Sequence, residues 1–197
     1  MADYIQQQGP AYLAHLLKRL SDHLVEGASI WYPQVGVRVP PRTTSTLLAL
    51  DDMGPLGITE IAACLRQSHP LVITWVKQLQ ALGCVESRSD PDDGRRTLVH
   101  LTRQGRREVE RLRTALLTME RASRDLMDQA GDGLFEALWR MEAACREQAF
   151  AQRLAAFAAP AAGVEKTSRT KKAAKKGTRN RQGIGTEGIK RNRDGGN

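Results

Sequence analysis

Two clusters of side chains in this 197-residue sequence combine hydrogen-bonding and ionic groups at close spacing. The first is SDPDDGRR, Ser89 to Arg96, where Pro91 and Gly94 stand where a tight turn wants them. Asp93 precedes Arg95 and Arg96 there, and Arg88 lies just upstream. The second runs from Ser68 to Lys77. Stepping 100° per residue puts Pro70, Ile73, Thr74 and Lys77 on one side, with His69 at the leading edge. That face is small, mixed and lightly charged, unlike an ordinary solvated helix face. The chain has no GxSxG elbow, phosphate-binding glycine loop, HExxH or CxxC pair. Its histidines, His15, His23, His69 and His100, are scattered over different segments. No enzyme activity, metal or cofactor is expected.

The elements that must position these clusters follow from periodicity and punctuation. Ser68 is a good N-cap, Pro70 is tolerated in a first helical turn, and Gly83 supplies a stop, which predicts a helix to about Leu82. Its inward side is read as Leu71, Val72, Trp75, Leu79 and Leu82, with Trp75 as core. A short helix, Ile58 to Leu65, precedes it, capped by Thr59 or by the preceding turn, with Ile58, Ile61, Ala62 and Leu65 inward. Cys84–Arg88 and Thr97–Leu101 alternate as strands, so the SDPDDGRR turn is the tip of a hairpin. Thr102 then caps a long helix carrying Val109, Leu112, Leu116, Met119 and Leu126 on its apolar side. A further helix, about 133–157, carries Leu134, Leu138, Met141, Cys145 and Ala149.

Upstream, Leu13, Leu16, Leu17, Leu20 and Leu24 mark one face of a helix over residues 10–30, with Pro10 in its first turn. The prolines of WYPQVGVRVPPR end it. Thr43 to Asp52 is a second, shorter helix, broken by Met53-Gly54-Pro55. Long helices flanking a small domain need a partner for their apolar faces, and a second copy of the chain is the simplest.

Composition bounds the rest. An apolar fraction of 41% supports a packed core, and 5% aromatic residues make that core mostly aliphatic. Residues 160–197 hold 11 basic and 3 acidic residues, which accounts for the whole net charge of +8. The basic character therefore belongs to a tail, not to the domain before it. That tail, rich in Gly, Lys and Arg and without periodicity, is expected to be disordered. No run approaches a membrane span and no secretion signal is visible, so a cytoplasmic, nucleoid-associated protein is expected. Cys64, Cys84 and Cys145 are read as buried thiols, a redox sensor being the alternative.

The order helix, turn, helix, hairpin, with GPLGITEIAACL before the turn and LGCVESRSDPDDGRRTLVHLT after it, resembles the MarR family of winged helix-turn-helix regulators. The most specific piece is Asp90-Pro91-x-Asp93-x-Arg95, followed by Leu101-Thr102. The resemblance implies a mainly α fold with a small β-wing. Residues 1–159 would form a winged helix-turn-helix (about 43–102) embedded between long dimerisation helices (about 10–30 and 102–157), followed by the tail. It implies a homodimer on a pseudo-palindromic double-stranded DNA operator, with half-sites about 10 bp apart. Ser68, His69, Pro70, Ile73, Thr74 and Lys77 would face the major groove, where Ile73 could touch a thymine methyl. Arg95 would reach into the minor groove with Asp93 orienting its guanidinium, and Arg88 and Arg96 would contact phosphates. Where family members often carry threonine and arginine on this helix, the chain has Ile73 and Thr74.

Many members release DNA when a small, often aromatic or phenolic, ligand settles between the dimerisation helices and the DNA-binding lobe, and His15, Trp31, Tyr32 and Met53 could line such a crevice; ordinary packing is the competing reading. The function expected is a repressor responsive to a small-molecule effector. Two rivals stand beside it. One is an architectural protein that coats DNA through its basic tail, and the other a winged-helix module that contacts protein instead of DNA.

Overall fold

The computed structural model describes residues 2–158. In chain order the elements are α1 (Tyr4–Gln7), α2 (Leu13–Trp31), α3 (Thr44–Met53), α4 (Ile58–Leu65) and α5 (His69–Ala81). A hairpin of β1 (Val85–Ser89) and β2 (Thr97–Leu101) follows, then α6 (Arg103–Ala130), α7 (Leu134–Glu147) and α8 (Phe150–Ala158). Short 3-10 turns occupy Gly9–Tyr12, Tyr32–Val35 and Pro41–Thr43, where the prolines deny the chain a regular helix. The architecture is mainly α with one small β-wing. The described residues divide into two units, one ending at Glu142 and one beginning at Ala143. The basic tail expected over 160–197 lies outside the described residues.

The core of the first unit gathers around α3, α5 and α6. Leu47, Ile61, Val72, Leu79, Val99 and Leu112 are sealed from solvent there. Each such Leu or Ile contributes about 2 kcal/mol by leaving water. Tyr32 is also buried, and its hydroxyl donates to the Met119 thioether of α6 at 3.4 Å. Burial pushes the Tyr32 phenol pKa up, partly offset by a hydrogen bond with Thr44. Among the described residues, no helix is long and apolar enough to cross a membrane.

Three expectations change. The inward stripe of α5 is Val72, Trp75, Val76 and Leu79, whereas Leu71 and Leu82 are exposed. The buried arc is as wide as the sequence suggested but is rotated about 40° toward Val76. Cys64 and Cys145 are exposed and only Cys84 is buried. Cys64 falls just beside the Ile61–Ala62 arc that α4 buries, and Cys145 is on a helix whose Phe135 and Trp139 are themselves exposed. Burial, and then the nearby Glu108 charge, raise the Cys84 thiol pKa, which favours the unreactive thiol.

The single helix expected over 133–157 is two helices, parted at Gln148–Ala149. No Gly or Pro marks that break. The Arg153 guanidinium donates to the Ala144 carbonyl at 2.8 Å and closes the end of α7, while Ala149 accepts the first amides of α8.

Candidate nucleic-acid interface

The helix-turn-helix is α4, a three-residue turn and α5. Arg66 closes α4 in the left-handed region at φ 51°, and the Gln67 amide returns to the Ala62 carbonyl at 2.9 Å. At the other end of α4, the Gly57 amide donates to Glu60 Oε2 at 2.7 Å. Of the two caps the sequence left open, the preceding turn is therefore the one used, with Glu60 reaching back to it. Ser68 takes the N-cap position of α5 in extended backbone, but its hydroxyl makes no capping bond. Its carbonyl instead accepts the Leu71 and Val72 amides, each at 3.1 Å.

The C-terminal end of α5 is held by the start of α6. Gly83 turns the chain at φ 66°, the Gln104 amide side chain donates to the Leu82 carbonyl at 2.7 Å, and the Thr102 hydroxyl donates to the Gly83 carbonyl at 2.7 Å. Thr102 also caps α6 by accepting the Gly105 amide at 3.0 Å. Gly105 presses so close to β1 that a Cβ there would lie 2.0 Å from the Cys84 carbonyl oxygen. This junction fixes the angle between α5 and the long helix.

The wing pairs β1 with β2 from Val85↔Leu101 to Ser89↔Thr97, and Leu56 adds a bridge to Val99. Gln80 on α5 donates to the Ser87 hydroxyl at 2.9 Å, which ties the recognition helix to the wing. At the tip, Asp90 Oδ1 accepts the Asp92 amide at 2.9 Å and Asp93 Oδ1 accepts the Arg95 amide at 3.0 Å. The two aspartates thus shape the loop itself.

Two of the expected DNA-facing groups have partners inside the lobe. Asp93 holds the Arg95 backbone amide. The Arg96 guanidinium, expected at a phosphate, meets Glu60 at 2.8 Å and Asp90 at 3.5 Å, anchoring the wing to α4. The Glu60 carboxyl is held below its ordinary pKa, first by the Gly57 amide and then by Arg96. Arg88 pairs with Glu86 on its own strand. Arg95 is exposed, and its guanidinium has no hydrogen bond or ion pair among the described residues. Two neighbouring arginines therefore have opposite employment, one spent inside the lobe and one left over.

On α5, His69, Pro70, Thr74 and Lys77 are exposed and Ile73 is half-buried, so the outward face lies where the periodicity put it. The Thr74 hydroxyl donates to the Pro70 carbonyl at 3.0 Å, which occupies its proton within the helix. Sequence reasoning missed Glu60 and Gly105, and gave Asp90 a place in the motif but no role. The Gly57-x-x-Glu60 spacing signals the cap. Nothing local signals that Glu60 also receives Arg96.

The four residues suggested for an effector crevice do not converge. Tyr32 is in the core, Met53 is exposed at the end of α3, and His15 stacks near Tyr12 with ring centroids 4.9 Å apart. Trp31 lines a groove of about 480 Å³ between α2 and α6 that also involves His23, Leu24, Ala28, Met119 and Leu126. Periodicity found the helices but not which faces they turn toward each other.

With this geometry in hand, similarity to known proteins can be placed on it. Residues 39–96, the helix-turn-helix and most of the wing, match the MarR family. No curated protein sequence matches the chain. Among solved structures, the transcriptional repressor CouR bound to a 23-mer DNA duplex is 25% identical, with 74% of this chain and 98% of that chain covered and a TM-score of 0.57. A probable transcriptional regulator from Pseudomonas aeruginosa is 25% identical, covering 66% and 96%, at a TM-score of 0.54. The regulator PcaV from Streptomyces coelicolor, in complex with its natural ligand, shares the fold at 24% identity, covering 74% and 99%, at a TM-score of 0.55.

Proposed function

We propose that the chain is a winged helix-turn-helix transcriptional regulator of the MarR family, to which residues 39–96 are similar, and that it is a repressor binding a pseudo-palindromic operator as a homodimer. A regulator of this kind works by occupying DNA and carries out no reaction, in keeping with the lack of a catalytic motif. The observation that carries the reading is the wing tip. A loop closed by Asp90 and Asp93 presents Arg95, which has no side-chain partner among the described residues, on a hairpin tied by Gln80 to α5. Arg95 enters the minor groove, gaining from the negative potential of a narrow A/T-rich segment. His69, Thr74 and Lys77 meet the major groove beside it, and Arg88 lies near the backbone. That CouR, similar at 25% identity, is a repressor solved on a DNA duplex supports the same docking and the same sign of regulation.

Homodimerisation is supported by α2. Leu13, Leu16, Leu20 and Leu24 repeat along one face and are all exposed. A second copy covers such a stripe symmetrically and sets two recognition helices about one DNA turn apart. The groove between α2 and α6 gives a small apolar effector a place to bind against the same helix, coupling occupancy to the spacing of the half-sites.

Selection of bound sequences from a random duplex pool tests the reading, run on the full chain, on residues 1–159 and on Arg95→Ala. A pseudo-palindrome enriched by both intact-wing forms and weakened by Arg95→Ala is the expected result. Tail-dependent binding to every duplex, with nothing enriched by residues 1–159, would overturn it in favour of an architectural protein.

A further inference from the structure

The first two turns of α5 are where a helix-turn-helix presents side chains to base edges. In this chain that segment is short of hydrogen-bonding groups. Pro70 offers a ring, Leu71 is 37% exposed, and Ile73 is half-buried at the rim of the outward face. Thr74 is exposed, but its hydroxyl proton is committed to the Pro70 carbonyl. Lys77 and Gln78 enter only in the third turn. Pro70 and Thr74 lie at the centre of the face, with Leu71 on one flank and Ile73 on the other.

The core does not need this arrangement. Val72, Trp75, Val76 and Leu79 already fill the inward arc, so Leu71 is an apolar residue left in solvent beside a site otherwise bordered by His69, Lys77 and Arg88. The apolar edge feature of the major groove is the C5-methyl of thymine, and a contact with it separates T·A from C·G without a hydrogen bond.

Resting on the reading above, we propose that Leu71 and Ile73 are the specificity-determining residues of the recognition helix, and that they read thymine methyls in each operator half-site. The helix then discriminates largely by apolar contact, with His69 and Lys77 supplying hydrogen bonds or phosphate contacts at its margins. At the positions they face, Leu71 and Ile73 offer a polar base edge no hydrogen bond, so a thymine methyl is preferred there.

The test uses the full chain and the duplex it enriches from a random pool. Each half-site thymine is replaced singly by deoxyuridine, which removes the methyl and keeps every base-pairing and edge hydrogen-bonding group. At one or more positions per half-site, affinity should fall about fourfold, the worth of one buried methyl. That sensitivity should disappear in Leu71→Ala or Ile73→Ala while sensitivity at other positions stays. A specific operator that tolerates deoxyuridine at every thymine would overturn this inference and leave the regulator reading standing. Uracil sensitivity unchanged in both variants would overturn the assignment to these residues. Failure of the pool to enrich any sequence would overturn both.

Discussion

The lobe from residue 43 to residue 102 and the helix α2 use leucine in opposite ways. In the lobe, Leu47, Leu50 and Leu79 are closed off by their own chain, and the wing, α4 and α5 are joined by side-chain bonds that leave few loose ends. On α2, Leu13, Leu16, Leu20 and Leu24 are between 42% and 52% exposed. The same residue type thus builds a finished body in one place and an open seam in the other. A lobe complete in one copy keeps its shape whether or not a partner is present. In the proposed homodimer that seam makes high-affinity DNA binding conditional on assembly, because two half-sites are then held by one linked pair of lobes.

The sharpest way to break the closed side of this comparison is at Gly105. Its Cβ position is occupied by backbone, the Cys84 carbonyl, which cannot swing aside as a flexible side chain would. Gly105→Ala should cost about 3 kcal/mol or more, at the upper end for overpacking. Thermal unfolding should show the loss. A Tm within about 2 °C of the parent would mean that the α6 start is not pinned to β1 as described.

The open side is broken without touching the lobe. Leu16→Glu combined with Leu20→Glu should leave the helical signal and the lobe intact while turning the dimer into a monomer by sedimentation. Affinity for a full palindrome should fall by about a hundredfold or more, as linkage between half-sites is lost. Binding to an isolated half-site should change little. A double variant that remains dimeric would place the dimer seam somewhere other than α2.

Within the lobe, Arg95 and Arg96 sharpen the contrast to one residue. Arg95→Ala removes a guanidinium with no partner among the described residues, so stability should hold while operator affinity falls by about 1–3 kcal/mol. Arg96→Ala should do the reverse. It removes contacts to Glu60 and Asp90, partly exposed ones worth under about 1 kcal/mol, and affects DNA only through a looser wing. Equal losses of affinity with unchanged stability in both variants would erase the distinction.

What could be read from the sequence follows the range of the interactions involved. The hairpin, the Gly83 stop, the Thr102 cap and the outward face of α5 are set by residues within a few positions of one another, and all were legible. The employment of Arg96 was not, because its partner Glu60 is 36 positions away and only the folded lobe brings them together. The break between α7 and α8 depends on Arg153 reaching back nine residues to a carbonyl, with no breaker residue to announce it. The exposure of Leu71 was missed for a different reason. An apolar residue at the edge of an apolar arc reads as core, and only the buried positions of Val72 and Val76 show that the arc closes without it.

Glu60 gives the smallest effect and the finest test of how the lobe is closed. Its carboxyl is held below the ordinary value of 4.5, chiefly by the Gly57 amide and then by Arg96. A lowered carboxyl pKa means that the folded state favours the charged form. The stabilisation is then fully present above the unfolded pKa and is lost as pH falls through the lower folded value. Glu60→Gln cannot titrate, so it should be less stable than the parent at pH 7 and should converge toward it as pH falls below the ordinary carboxyl range. Asp3 and Asp22 also have lowered values and lose stability over the same range, but they do so in both proteins and cancel in the difference. Urea midpoints at the two pH values measure this directly. A gap that stays constant with pH would show that Glu60 acts by shape alone, and that the charge between α4 and the wing does not help hold Arg96 away from DNA.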